Sequence, residues 1–224
     1  MPAKRCRVIS AICLWFLLTS INLASPVVTA EFSPPSGLNG GFNIGAGMAY
    51  DAPAPTPFDN RLAQTFVATA SGLPATASLI ADLPPSTFAD LTIDIGRLEG
   101  GLATDIIATG TISPDKFGSG VNSSPMTFNG FVELLGIDEI IAGETYAIFF
   151  RSSTPDANYR IYGTDGNRYG EGQAWRSQNN PMYTPMLSSS DLFFQVTVTP
   201  VPEPSACLLA LAPIAAMLVK RRSP

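Results

Sequence analysis

The residues able to do chemistry are few, and the missing ones decide most. The chain has no histidine, and its three cysteines, Cys6, Cys13 and Cys207, all lie near its ends. Ser-His-Asp and Cys-His nucleophile pairs are therefore excluded, as is every imidazole metal ligand. What remains in the interior is a group of rings: Tyr159, Tyr162, Tyr169, Trp175 and Tyr183, with Asn167, Gln173 and Gln178 between them. Flat aromatic faces stack on the C–H groups of a pyranose while amides take its hydroxyls, so Tyr159, Tyr169 and Trp175 are the candidate sugar-binding residues. The simpler reading makes the same rings core and cross-strand fillers, at about 0.2 to 1 kcal/mol per pair.

Other candidates are weaker in kind. Thr164-Asp165-Gly166-Asn167 offers oxygen ligands for a structural calcium through Asp165 and Asn167, with Glu171 nearby. Calcium needs six to eight oxygens, and Asp-Gly-Asn is also ordinary hairpin-turn chemistry. A glycosidase needs two carboxyl groups roughly 5 to 10 Å apart. No pair stands out: Asp138 and Glu139 are adjacent, and Asp90 with Asp94 would share a solvated strand face. Ser113-Pro-Asp-Lys116 fits a Ser-x-x-Lys string without the companion motifs that string requires. Asn122-Ser-Ser124 fits a glycosylation acceptor and also reads as a Ser-rich loop. Catalysis is not expected, and no cofactor is implied beyond that calcium.

The elements that would hold these residues are strands. Leu91-Thr-Ile93-Asp-Ile95 alternates apolar and polar side chains, and Leu192, Phe194, Val196 and Val198 alternate likewise. Further strands are expected near 62–69, 75–82, 104–112, 126–134, 144–152, 158–163 and 172–177, punctuated by Gly, Pro, Asn and Asp. Phe131 to Ile141 is the longest helix-like stretch and contains Gly136. The expectation is a mainly β domain over 61–199, a single antiparallel β-sandwich of jelly-roll type. A Gly/Pro-rich extended segment over 31–60 precedes it, stiffened by Asp51-Ala-Pro-Ala-Pro-Thr-Pro57.

The ends carry transport signals. Three charges in Met1 to Arg7, an apolar run from Val8 to Leu18 and the small residues Val28-Thr29-Ala30 compose a secretory signal peptide over 1–30. Cleavage is expected after Ala30, with a cut near Ala24 or Ser25 as the alternative. Eleven apolar residues reach only about 16 Å, too short to span hydrocarbon of roughly 30 Å. Cys13 follows Ile12 rather than a small residue, which argues against a lipoprotein anchor. No twin arginine is present, so the general secretion route is expected.

At the other end, over 200–224, Pro202-Glu203-Pro204 precedes a mostly apolar run, Ala206 to Val219, and the basic stop Lys220-Arg221-Arg222. Fourteen residues of helix reach about 21 Å, and Pro213 interrupts them, so this short transmembrane helix suits a temporary hold. The basic end stays cytoplasmic by the positive-inside rule, which puts the body outside the inner membrane. Six of the 13 basic residues lie in the two end segments, leaving 7 against 17 acidic residues between 31 and 199. So acidic a body has no footprint for nucleic acid.

On Pro202, Glu203, Pro204 and the two parts that follow, the tail resembles the PEP-CTERM sorting signal of Gram-negative bacteria. The resemblance covers about a tenth of the chain. It implies recognition by an exosortase, a membrane cysteine transpeptidase, after signal peptidase has acted, then removal of the tail. Delivery to the cell surface or the extracellular polysaccharide matrix would follow, with exopolysaccharide a candidate partner. The order Ala63-Gln64-Thr65-Phe66, Gly143 to Phe149, Tyr159 to Tyr162, Tyr169 to Trp175 and Asp191 to Phe194 is similar to bacterial choice-of-anchor surface domains. Those domains carry interchangeable sorting tails and no established activity.

Overall fold

A computed structural model describes residues 25–33, 42–46, 60–83, 90–117, 126–152, 159–165, 169–178, 181–186 and 190–201. Fourteen strands run through them: β1 Val27–Phe32, β2 Phe42–Ala46, β3 Asn60–Val67, β4 Leu73–Leu83, β5 Leu91–Glu99, β6 Leu102–Ile112 and β7 Met126–Glu133. There follow β8 Leu135–Gly136, β9 Thr145–Ser152, β10 Tyr159–Asp165, β11 Ala174–Gln178, β12 Thr184–Pro185, β13 Ser190–Leu192 and β14 Phe194–Thr199. The one helical element among the described residues is a 3-10 turn, Pro114–Lys116.

All pairings are antiparallel and build two sheets. The first runs β1-β14-β4-β10-β13, with β2 joined to β10 and β7 to β4; the second runs β12-β11-β3-β9-β5-β6-β8. After β2 the chain crosses between sheets at eight of its twelve connections. The core lies between the sheets because the strands alternate as the sequence predicts. Leu62, Phe66, Ile93, Ile95, Ile148 and Phe150 from one sheet meet Leu79, Ile161, Phe194, Val196 and Val198 from the other. Each such side chain contributes about 1.5 to 3 kcal/mol on burial.

Two stretches depart from expectation. Val27–Phe32 pairs with β14, and Phe42–Ala46 pairs with β10, so the sandwich takes in residues upstream of 61. The Phe131 to Ile141 stretch is not helical. It ends β7, passes Leu134, forms β8 and reaches a bridge between Gly72 and Ile140. Gly136 explains the sharp passage, since a Cβ there would lie 2.9 Å from the Pro74 ring. The β5–β6 hairpin turns on Gly100 and Gly101, both at positive φ, where glycine carries no steric cost.

No helix among the described residues is long and apolar enough to cross a membrane. The predicted tail helix at 206–219 lies outside them.

Candidate functional site

The structure separates the sugar-binding candidates and buries two of them, which corrects the aromatic-platform expectation. Tyr159 is 0% exposed on β10 and tilts against Phe117, ring centroids 5.5 Å apart. Tyr169 is 8% exposed, edge-on to Phe194 at 5.4 Å and tilted against Phe32 at 5.7 Å. Both face the core between the sheets. Trp175 faces the other way: it pairs with Ala63 in register, and Ala63 follows the core-facing Leu62 on the same strand. There it packs, half-buried, into a small outer cluster of Ala63, Ala147, Phe149 and Tyr183. Tyr183 caps that cluster, with its ring 5.4 Å from Phe149 and its backbone N–H donating to the Gly101 carbonyl at 2.6 Å. The Trp175 Nε1 is shielded from solvent with no acceptor among the described residues.

Burial also changes the titration of the two core phenols. Desolvation, helped by Asp90, pushes Tyr159 up to about 12, and desolvation, helped by Glu171 and Asp191, pushes Tyr169 up to about 12. An unfolded tyrosine ionises near 10. Their contribution is fully present below pH 10 and is lost as pH rises toward 12, because the unfolded chain releases these protons first. Unfolding midpoints measured from pH 9 to 12 are expected to fall along this limb. Tyr159→Phe and Tyr169→Phe should each flatten it, and an unchanged slope in both variants would contradict the assignment.

Several of the described acids are held in ion pairs and hydrogen bonds. Asp94 is buried, not solvated as alternation suggests: the Arg151 Nε donates to it at 2.6 Å and the Thr109 hydroxyl at 2.8 Å. Glu144 pairs with Arg97, whose guanidinium lies 4.9 Å over the Tyr146 ring. That bond raises the Arg97 pKa, with the Glu144 charge adding to it. The Ser113 hydroxyl bonds Asp115, which lowers the Asp115 pKa, and the Ser-x-x-Lys string frames only the 3-10 turn.

One buried polar group was invisible to sequence reasoning. Asp191, 1% exposed, accepts the Tyr169 N–H at 2.8 Å and the Gln64 side-chain amide at 3.3 Å. The Gln64 oxygen in turn accepts the Leu192 N–H at 2.9 Å. This clamp joins β3, the start of the 169–173 segment and β13 across the core.

Two surface features remain. A groove of about 450 Å³ opens between β6 and β7, lined by Thr109, Thr111, Lys116, Phe131, Glu133 and Leu135. The second is the end of the sandwich where both described ends of the body lie. Val27 pairs with Val198, and Thr199 pairs with Leu73, so the entry at Ser25 and the exit at Val201 are neighbours. The Gly72–Ile140 bridge is beside them, and a Cβ on Gly72 would meet the Thr199 carbonyl. Around this end Val27, Val28, Leu73, Ile137, Ile141 and Val201 are exposed, Ile137 by 75%.

Among the described residues, no group of three or more Cys, Asp or Glu is arranged to hold a metal. Asp165 ends β10, while its side chain and Asn167 lie outside the described residues. So do Pro202, Glu203, Pro204, Lys220, Arg221 and Arg222. Ala30, the expected cleavage residue, sits inside β1 and is buried. No protein-family model, no curated protein and no solved structure matches the chain.

Proposed function

We propose that this chain is a non-enzymatic surface or matrix protein of a Gram-negative bacterium. A secretory signal carries it across the inner membrane, and a tail of PEP-CTERM type holds it there until an exosortase removes that tail. The observation that carries the reading is the placement of both ends of the body side by side at one end of the sandwich, where Val27, Val28, Leu73 and Val201 are exposed. A domain whose entry and exit are neighbours can hang from a bilayer by either end in one orientation. Strand-to-strand crossing between the sheets favours a winding of jelly-roll type.

Intact mass spectrometry of protein from the extracellular fraction of the native host tests this. A C-terminus between Pro202 and Ser205 is expected. A chain keeping Ala206 to Pro224 and fractionating with membranes would make it a permanently anchored protein instead.

A further inference from the structure

The geometry points to the Ala24–Ser25 bond, upstream of β1, as the export cleavage site, in place of the bond after Ala30. This inference rests on the reading of the N-terminal segment as a signal peptide.

β1 is part of the folded body. It pairs with β14 on both sides of Ala30, from Val27↔Val198 to Phe32↔Phe194. Thr29 is fully buried, and its hydroxyl donates to the Ala70 carbonyl at 2.7 Å while accepting the Ala70 N–H at 3.2 Å. Its carbonyl accepts both the backbone N–H and the hydroxyl of Thr69, each at 2.8 Å. Ala30 belongs to the inter-sheet core, and the Phe32 ring packs on Tyr169 and Phe193.

A cut after Ala30 would remove Val27 to Ala30 from the body. The Thr69 and Ala70 groups would lose their partners, and the far half of β14 would become a bare edge open to other chains. A new ammonium on Glu31 would stand in the middle of the sheet margin. The fold therefore needs these four residues in the mature protein.

The sequence supplies a site that spares them. Ala24, with Asn22 rather than a small residue two before it, is a small residue six positions beyond Leu18, the end of the apolar run, whereas Ala30 is twelve beyond it. Ser25 and Pro26 are exposed and precede the pairing. The next bond, Ser25–Pro26, is a tertiary amide whose proline restricts the residue before it, which disfavours cleavage there. Ala24–Ser25 is the last bond before β1 that follows a small residue and does not precede proline.

Terminal peptide mapping of the exported protein from its native host is the test. Ser25 is expected as the first residue. A first residue of Glu31, six residues later, would overturn the inference while leaving the signal peptide intact. An exported chain that still begins at Met1 would overturn the signal-peptide reading itself. In pulse-labelled cells Ala24→Leu should abolish the processed form, because leucine is too large beside the cut bond. Processing at the unmodified rate in that variant would also overturn the assignment.

Discussion

Replacing Asp191 by alanine is expected to lower the unfolding free energy by about 3 to 5 kcal/mol, among the largest effects available to a single polar residue here. Asp191 is 1% exposed, and its carboxyl group holds the Tyr169 N–H and the Gln64 amide. Its loss strands two buried donors, each at a cost of about 1 to 3 kcal/mol. It also loosens Gln64 from the Leu192 N–H, which the same amide secures at 2.9 Å. For a domain of this size the thermal midpoint should fall by on the order of 10 °C. Asp191→Asn keeps the shape but presents an NH2 group toward one of the donors, so an intermediate loss is expected. Urea denaturation followed by tryptophan fluorescence reads both variants. A midpoint within error of the unmodified protein would mean that the clamp is not formed.

Tyr159→Ala should cost a similar amount, about 3 to 5 kcal/mol, for a different reason. The ring is wholly buried and packed at a tilt against Phe117, and deleting it leaves a cavity that neighbouring strands cannot close. Tyr159→Phe retains the packing and should remain within about 1.5 kcal/mol. The pair separates packing from recognition. A sugar-stacking residue would lose binding on truncation and leave stability within about 0.5 kcal/mol, as surface substitutions do. Calorimetric titration with purified host exopolysaccharide, run beside the denaturation series, checks the second half of that contrast.

Much of the sandwich was legible because its strands alternate apolar and polar side chains, with the apolar set turned to the core between the sheets. The alternation in Leu91 to Ile95 and in Leu192 to Val198 marks β5 and the β13–β14 run directly. Expected strands at 62–69, 75–82 and 144–152 fall on β3, β4 and β9 within a few residues. β1 was hidden by ambiguity: Val28, Thr29 and Ala30 suit a peptidase pocket and a strand edge equally, because both select compact side chains. β2 was hidden in a Gly/Pro-rich stretch whose composition argues for extension without saying what it pairs with. The Phe131 to Ile141 stretch is only the longest helix-like candidate, and the bridge that holds it extended involves Gly72, a residue far away in sequence.

The site was harder to read, for the same reason carried further. Alternation placed Asp94 on the outer face correctly, but the Arg151 that covers it is 57 residues away. Gln64 and Asp191 are 127 residues apart, and no local pattern announces that they meet. An aromatic list cannot distinguish Tyr159, which faces the core, from Trp175, which faces the opposite side of the other sheet.

The pairing of β1 with β14 has a kinetic side. Glu31 and Gln195, hydrogen-bonded across it, are 164 residues apart, so this contact closes nearly the whole body into one loop. Loop closure grows dearer with length, by about 0.6 kcal/mol per doubling, and long-range pairings slow the search for the folded state. The first strand has no edge to join until the last has been made. A chain still threading through a narrow translocation channel therefore cannot lock into its final shape prematurely. On the proposed export route the chain would stay pliable until residues 194–199 reach the far side and let it set.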